Sequence, residues 1–204
     1  MQLGAARPGR PSPALLVVVL GLLLGLTACA RHVTATATPA APTTDHTVTV
    51  ALPGLHVVRA PKRVMDDAHL QPGQCHLRQT SAGPLPDPAC TPGAVDPAVT
   101  QSNIRSTICS PGYTATVRPS ASDTDRWKRV AEQAYGTTGT GEYDHLVSLE
   151  LGGANATSNL WPEPGSIPNA KDAVENRLHK EVCDGRISLA AAQQAIATDW
   201  TTAP

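Results

Sequence analysis

The fold of this chain is organised around the segment YDHLVSLELGG, residues 143–153, which is followed by NLWP at residues 159–162. An acid and a histidine, Asp144 and His145, precede a short apolar run and a double-glycine turn. A second short apolar run begins with the NLWP segment, and helix-favouring residues begin after Asn169. Two short apolar runs around a glycine turn favour paired strands. The segment therefore predicts a hairpin followed by a helix, with polar side chains where the elements meet.

Amphipathic helices are predicted on both sides of this segment. Apolar residues recur at helical spacing in residues 123–135, in residues 170–182 and after Ser188. Asn169 and Ser188 are residue types that suit the N-cap position of the second and third helices. Alternating side chains predict a further strand near residues 113–117. We therefore expect an α+β fold with helices around one hairpin.

The N-terminus has the pattern of an export signal. An unbroken apolar run from Ala14 to Leu26 follows two arginines and is short for a membrane span. It ends in Leu-Thr-Ala-Cys, which resembles the lipobox of bacterial lipoproteins, with Cys29 as the lipidated residue. Ordinary cleavage after Ala30 is the alternative. We predict a signal peptide at residues 1–28 and a protein outside the cytoplasm, either lipid-anchored to the membrane or secreted.

Composition divides the remainder of the chain into three regions. Residues 29–48 are rich in Thr, Ala and Pro, with almost no large apolar side chain, which predicts a flexible tether. Proline and glycine punctuate a loop-rich proximal region at residues 49–96. The hairpin and the helices place the main domain at residues 97–204. The net charge of −1 argues against a polybasic nucleic-acid-binding protein.

Four cysteines besides Cys29 predict two disulfides, because an even number in an exported chain is typical of a disulfide framework. Three pairings are possible. We favour Cys75 with Cys90, which links the two sides of a proline-rich loop, and Cys109 with Cys183, which closes a long loop. A zinc knuckle is the alternative, but the sequence contains no C-x-x-C pair.

The Asp-His pair, an asparagine fourteen residues after the histidine and a polar helix start some ten residues later form an ordered set. Together with Glu150-Leu151-Gly152-Gly153 and Lys171-Asp172, this set resembles the HNH endonuclease superfamily, whose nucleases carry a ββα-metal finger. It is most similar to a group of small exported bacterial proteins that share this pattern. The resemblance spans roughly residues 90–201.

This resemblance implies a role for each residue of the set. His145 would be the general base that deprotonates a water, and Asp144 would be a metal ligand. Asn159 would hold the His145 ring or brace the loop that positions it. Asn169, at the helix start, would be the second metal ligand, and Lys171 would contact a phosphate. The resemblance implies one divalent ion, with Mg²⁺ or Mn²⁺ first and Zn²⁺ or Ni²⁺ also compatible.

Most of these residues also have a purely structural interpretation. His145 could donate a hydrogen bond to a carbonyl, and Asn169 could be an N-cap alone. Lys171 could form a solvated ion pair with Glu175 at i, i+4 spacing. His179, on the same helix, could be a further ligand or a packing residue. Neighbours in a regular strand point to opposite faces, so Asp144 and His145 share one site only at a strand end or bulge.

Two functions follow. The leading hypothesis is an exported, metal-dependent HNH-type nuclease that hydrolyses phosphodiester bonds in DNA or RNA, with His145 as general base. The alternative is a catalytically silent HNH-like extracytoplasmic lipoprotein that acts as a binding or structural module, which the excess of acidic over basic residues in 101–204 favours. The partners are a nucleic-acid substrate in the first case and, in both, the membrane through a lipid on Cys29. A protein partner is not inferable from the sequence.

Overall fold

The computed structural model describes residues 54–139 and 141–204. The predicted signal peptide, Cys29 and the predicted tether lie outside the described residues. All described residues belong to one unit. Within that part of the chain, no helix is both long enough and apolar enough to cross a membrane.

The elements mix helices with short strands, which confirms the predicted α+β class. Two 3₁₀ turns, at Ile104–Ser106 and Leu149–Leu151, supplement them. In chain order the elements are β1 (His56–Val57), β2 (Arg78–Gln79), β3 (Pro84–Leu85), β4 (Ala94–Val95), α1 (Tyr113–Val117), α2 (Ala121–Tyr135), β5 (Glu142–His145), β6 (Leu160–Glu163), α3 (Ala170–Cys183) and α4 (Leu189–Asp199).

Strands β5 and β6 form an antiparallel pair, and α3 follows them in the chain. Asp144 lies opposite Trp161, and His145 lies opposite Leu160. Trp161 and Leu160 are fully buried, so the NLWP segment anchors the pair in the core. The predicted order of strand, strand and helix is therefore present. The apolar run at 146–151, expected to pair as a strand before the glycine turn, instead lies in the connection and includes the 3₁₀ turn Leu149–Leu151.

A long connection joins the two strands and contains the double glycine. Gly152 has φ 73°, in the left-handed region that favours glycine. A Cβ on Gly153 would lie 1.7 Å from the carbonyl oxygen of Val147, so the backbone passes too closely for any side chain. Both glycines are thus required by turn geometry and close packing, as the sequence pattern suggests.

Two apolar clusters form the core on either side of the hairpin and its connection. One combines α3 and α4 with the connection, through Leu178, Val182, Ile196 and Trp200. The other places Trp161 against Ala131, Ala134 and Tyr135 of α2, beside the Cys75–Cys90 disulfide. The indole Nε1 of Trp200 donates to the carbonyl oxygen of Pro84, 3.0 Å away, which ties α4 to the proximal region.

The prediction of a strand at residues 113–117 was wrong, because these residues form the short helix α1. Gly112 precedes it with φ 81°, and the amide of Arg118 donates to the carbonyl of Thr114. Five residues contain too few alternations to separate a strand from a single helical turn. The three helices predicted around the hairpin are present as α2, α3 and α4, with closely similar bounds.

The structure contains both favoured disulfides, Cys75–Cys90 and Cys109–Cys183. Strand β1 pairs in parallel with β4, so the loop-rich proximal region packs into the same unit as the hairpin. The second disulfide connects the segment before α1 to the last turn of α3. Two disulfides are compatible with a location outside the cytoplasm.

Candidate functional site

Lys171, in the first turn of α3, lies at the centre of the polar cluster where the helix meets β5. Its Nζ atom donates to Asp144 Oδ2 at 2.6 Å and to the carbonyl oxygen of His145 at 2.7 Å. It also donates to Glu175, one helical turn further along α3. The residue is 0% exposed. The interpretation of Lys171 as a phosphate contact would need a free ammonium, whereas this ammonium already has three partners.

The carboxyl groups around Lys171 are strongly affected by burial. Burial raises the pKa of Glu175 to about 8, although the ion pair with Lys171 opposes the shift. Burial likewise raises the pKa of Glu163 to about 9, against the attraction of Lys171 and with the help of the neighbouring Asp144 charge. Burial disfavours the Lys171 ammonium, but Asp144 and Glu175 outweigh it and raise the lysine pKa. Burial thus favours the neutral forms of Glu163 and Glu175, whereas the Lys171 ammonium, which stays charged, favours their ionised forms.

His145 lies at the end of β5, and its ring has different partners from those of Asp144. Nε2 donates to Asn155 Oδ1 at 2.9 Å, a tautomer that follows because the Asn155 amide nitrogen donates elsewhere. That nitrogen is bonded to the carbonyls of Ala60 at 2.8 Å and Val117 at 2.9 Å. Burial lowers the pKa of His145 to about 4, despite the nearby Asp144 charge. The imidazole is therefore neutral at pH 7, but it is buried against structural partners.

Asn159 braces the connection between the strands. Its Oδ1 accepts from the amides of Val147 at 2.9 Å and Ala94 at 3.1 Å. Its Nδ2 donates to the carbonyls of Val147 at 2.9 Å and Ala154 at 3.0 Å. All four hydrogen-bonding positions of this fully buried amide are used. Of the two roles that the resemblance implies for Asn159, the geometry supports bracing the loop.

Asn169 is the N-cap of α3. Its Oδ1 accepts from the amide of Asp172 at 3.1 Å, and Asp172 Oδ2 accepts from the Asn169 amide at 2.9 Å, which completes a capping box. Its Nδ2 donates to Glu142 Oε1 at 2.6 Å. Asn169 and Asp144 therefore each bond to other groups instead of converging on one point.

The residues that the sequence assigns to a divalent ion do not fit one in this arrangement. A metal between β5 and α3 would need oxygen atoms directed at a common centre. Asp144 is instead directed at the Lys171 ammonium, which lies where the hairpin and the helix meet. A positive charge already compensates the carboxylate there, so a second cation would be repelled.

Three residues that contact Lys171 or His145, or lie beside them, were not predicted from the sequence to take part in the site. The sequence predicts Glu175 only as a solvated partner of Lys171, whereas its side chain is only 13% exposed. Glu163 and Asn155 are given no role by the sequence. Glu163 is the residue after the NLWP segment, and its place at the end of a buried strand is the only sequence signal. Asn155 lies in the connection between the strands and carries no signal, because its partners at Ala60 and Val117 are distant in sequence.

A second group of side chains lies near the last turn of α3. Cys109, Cys183 and His179 offer ligand atoms that all lie within 4.8 Å of one another, a group that could hold a metal ion. The two sulfur atoms are joined in the disulfide, so in this form they are not thiolates. His179 Nδ1 lies 3.7 Å from Glu150 Oε2, and a cavity of about 240 Å³ opens beside these residues.

Comparisons of the chain with protein-family models, with curated proteins and with solved structures found no match.

Proposed function

We propose that this protein is an extracytoplasmic structural or binding module with an HNH-like strand-strand-helix centre that does not perform metal-dependent nuclease chemistry. The observation that carries the proposal is the Lys171 ammonium, which is bonded to Asp144, Glu175 and the His145 carbonyl. The Lys171 ammonium supplies, between the hairpin and the helix, the positive charge that a metal ion would otherwise provide. The cluster then joins β5 to α3 instead of binding an exchangeable ion.

The position of His145 supports the same proposal. A general base must lie within hydrogen-bond reach of the water that it deprotonates. The His145 ring is bonded to Asn155, which is itself tied to two backbone carbonyls. This chain of bonds holds three distant segments together, at residues 60, 117 and 145. Such a histidine contributes to the fold rather than to the activation of water.

The two disulfides support a protein that works in an oxidising environment, and the lipobox-like segment at Cys29 supports attachment to a membrane. A lipid-anchored module of this kind would present the disulfide-linked unit at the cell surface. The leading hypothesis from the sequence, cleavage of DNA or RNA with Mg²⁺ or Mn²⁺, stays a prediction that the following experiment tests.

The full chain, kept in detergent, is incubated with supercoiled plasmid and with single-stranded RNA in Mg²⁺, Mn²⁺, Zn²⁺ or Ni²⁺. Wild type is compared with His145→Gln and with His76→Gln, an exposed histidine that serves as the matched control. We expect no cleavage that depends on His145. Cleavage by wild type and His76→Gln that is lost in a folded His145→Gln protein contradicts the proposal and restores the nuclease hypothesis.

Calorimetric titration supplies a second measurement on the same proteins. Mg²⁺ or Mn²⁺ is added to wild type and to Asp144→Asn. We expect no heat of binding that depends on Asp144, because its carboxylate is bonded to Lys171. A stoichiometric heat that disappears in the variant would show that an ion displaces the lysine.

A further inference from the structure

The Cys109–Cys183 disulfide lies against a histidine with ligand geometry. Cys183 and His179 are four residues apart on α3 and so share one face of the helix. Cys109 reaches that face through the disulfide, with a Cα–Cα distance of 5.7 Å between the cysteines. The three side chains are half-buried, and their ligand atoms lie within 4.8 Å of one another. Two sulfur atoms and one imidazole nitrogen are donors that zinc prefers.

A hydrogen bond to the backbone fixes the His179 ring and its tautomer. Its Nε2 lies 2.9 Å from the carbonyl oxygen of Ile108, so Nε2 carries the proton and donates it there. Nδ1 then has its lone pair available. The carboxylate nearest to Nδ1, Glu150 Oε2, is 3.7 Å away and outside hydrogen-bond distance. A ring N–H donated to a backbone carbonyl is the usual support of a metal-binding histidine.

We propose that reduction of the Cys109–Cys183 disulfide creates a binding site for a zinc-class divalent ion, with the two cysteine sulfur atoms and His179 Nδ1 as ligands. A dithiol reductant donates two electrons to the S–S bond and becomes a disulfide itself, while Cys109 and Cys183 become thiols. The ion then binds both sulfur atoms and releases one proton from each. No other bond is made or broken.

The required movement is small. Zinc-sulfur bonds of about 2.3 Å at tetrahedral angles separate the two sulfur atoms by roughly 3.7 Å. The sulfur atoms begin within bonding distance, so rotation of the cysteine side chains supplies the separation. A ring nitrogen of His179 is already within 4.8 Å of both sulfur atoms.

The cavity beside this group provides access and a fourth position. It has a volume of about 240 Å³ and is lined by Cys109, Glu150 and His179, among others. A reductant and a hydrated ion can both approach through it. A water molecule or the Glu150 carboxylate then completes a four-coordinate site.

Metal binding would preserve a cross-link that reduction otherwise removes. The disulfide spans 74 residues and holds the segment before α1 to the end of α3. An ion on the same cysteines joins the same two segments. The site therefore keeps this part of the fold closed in the reduced chain, and oxidation releases the ion.

The test compares the oxidised protein with protein reduced by a phosphine and then freed of reductant without oxygen. All forms carry Cys29→Ser, so that this thiol does not bind metal. Co²⁺ is titrated while thiolate-to-cobalt absorption is recorded, and Zn²⁺ is then added in competition. We expect one equivalent to bind the reduced protein and none to bind the oxidised protein. His179→Ala should weaken binding by roughly tenfold or more. Loss of a residue that only supports a metal ligand already costs about that much affinity, and loss of a ligand should cost at least as much.

Two cysteine variants separate this site from the other disulfide. Cys75→Ser with Cys90→Ser should retain binding in the reduced state, and Cys109→Ser with Cys183→Ser should lose it. The proposal is overturned by equal binding to oxidised and reduced protein, by the absence of binding, or by affinity that is unchanged in His179→Ala. If the reduced chain were unfolded and bound metal only through its cysteines, then His179→Ala would not change the affinity, and the proposal would be overturned.

Discussion

At the scale of single residues, Lys171 is the most consequential side chain. A buried charge is tolerated only when it is paired and hydrogen-bonded, and Lys171 meets both conditions through Asp144, Glu175 and a backbone carbonyl. Removing one partner of a buried ion pair leaves the other charge uncompensated. Lys171 is therefore expected to affect stability far more than Lys180, the other lysine of α3.

Replacing Lys171 with Met should lower the free energy of unfolding by about 3–5 kcal/mol at neutral pH, because Asp144 loses its buried partner. Urea denaturation measures this change. Lys180→Met is the matched control, since Lys180 is exposed on the same helix and pairs with Asp184 at 2.7 Å. That exposed pair should contribute little to stability, because solvent screens its charges. Equal losses in the two variants would show that the Lys171 network contributes no more than an exposed pair.

His145 should make stability depend on pH. Its pKa is about 4 in the folded protein against 6.5 ordinarily, so the unfolded chain takes up the proton first as the pH falls. The contribution of His145 to the free energy of unfolding, roughly 3 kcal/mol, is then fully present above pH 6.5 and is lost as the pH falls from 6.5 to 4. Relative to His145→Gln, whose amide can still donate to Asn155, wild type should lose stability across this window. A constant difference between pH 7 and pH 4 would contradict the assignment.

The comparison with His145→Gln is necessary because Glu163 and Glu175 act in the opposite direction. Their pKa values are raised to about 9 and about 8. Their contribution to the free energy of unfolding is fully present below the ordinary carboxyl pKa and is lost as the pH rises towards those values. The wild-type profile alone therefore mixes two effects, whereas the difference between wild type and His145→Gln isolates the histidine.

At the scale of elements, the beginning of α3 decides how the helix meets the hairpin. Asn169 and Asp172 form a reciprocal capping box, and Asn169 also reaches Glu142 on β5. The cap fixes the first turn of the helix, which contains Lys171. The position of the ammonium between β5 and α3 thus depends on where this helix starts.

Asn169→Ala should lower the free energy of unfolding by about 1 kcal/mol, the usual effect of losing an N-cap. Asn169→Ser should retain most of the stability, because a serine hydroxyl can accept from the Asp172 amide. Asn176→Ala, an exposed change within the same helix, is the control and should cost nothing. Thermal unfolding followed by circular dichroism compares the three. If the serine variant is as unstable as the alanine variant, then the bond to Glu142 matters more than the cap.

At the scale of the whole molecule, the disulfides compensate for short strands and scarce aromatic residues. Phenylalanine is absent from the sequence, and there are three Trp and three Tyr residues. Each described strand pair contains only two to four residues per strand. Covalent links between distant segments are the usual remedy for limited packing.

The two disulfides should differ in their effect on stability, since their loops differ in length. The chain-entropy relation assigns about 4 kcal/mol to the 74-residue loop of Cys109–Cys183 and about 3 kcal/mol to the 15-residue loop of Cys75–Cys90. Cys109→Ala with Cys183→Ala should therefore be the less stable variant. Guanidinium denaturation of the two double variants, without added metal, checks the order. The reverse order would mean that packing around the Cys75–Cys90 bond outweighs loop entropy.

Local patterns made several features predictable. The helical spacing and caps of α2, α3 and α4 depend on residues within one or two turns, so their bounds could be predicted closely. The glycine pair at residues 152–153 and the buried NLWP segment were likewise readable from neighbouring residues. By contrast, the five residues of α1 contain too little periodicity, and the partners of His145 and Asn155 come from segments far away in the chain.

The sequence by itself therefore determined the α+β class, the strand-strand-helix order and the expectation of two disulfides, because each follows from local pattern or from the number of cysteines. Which cysteines pair and what Asn159 braces depend on contacts between distant segments. Only the tertiary structure decided what the Asp-His pair does. Successive strand residues have different neighbours, so Asp144 bonds to Lys171 of α3 while His145 bonds to Asn155. Burial keeps the His145 imidazole neutral. The Lys171 ammonium, and not a metal ion, balances the charge of the Asp144 carboxylate.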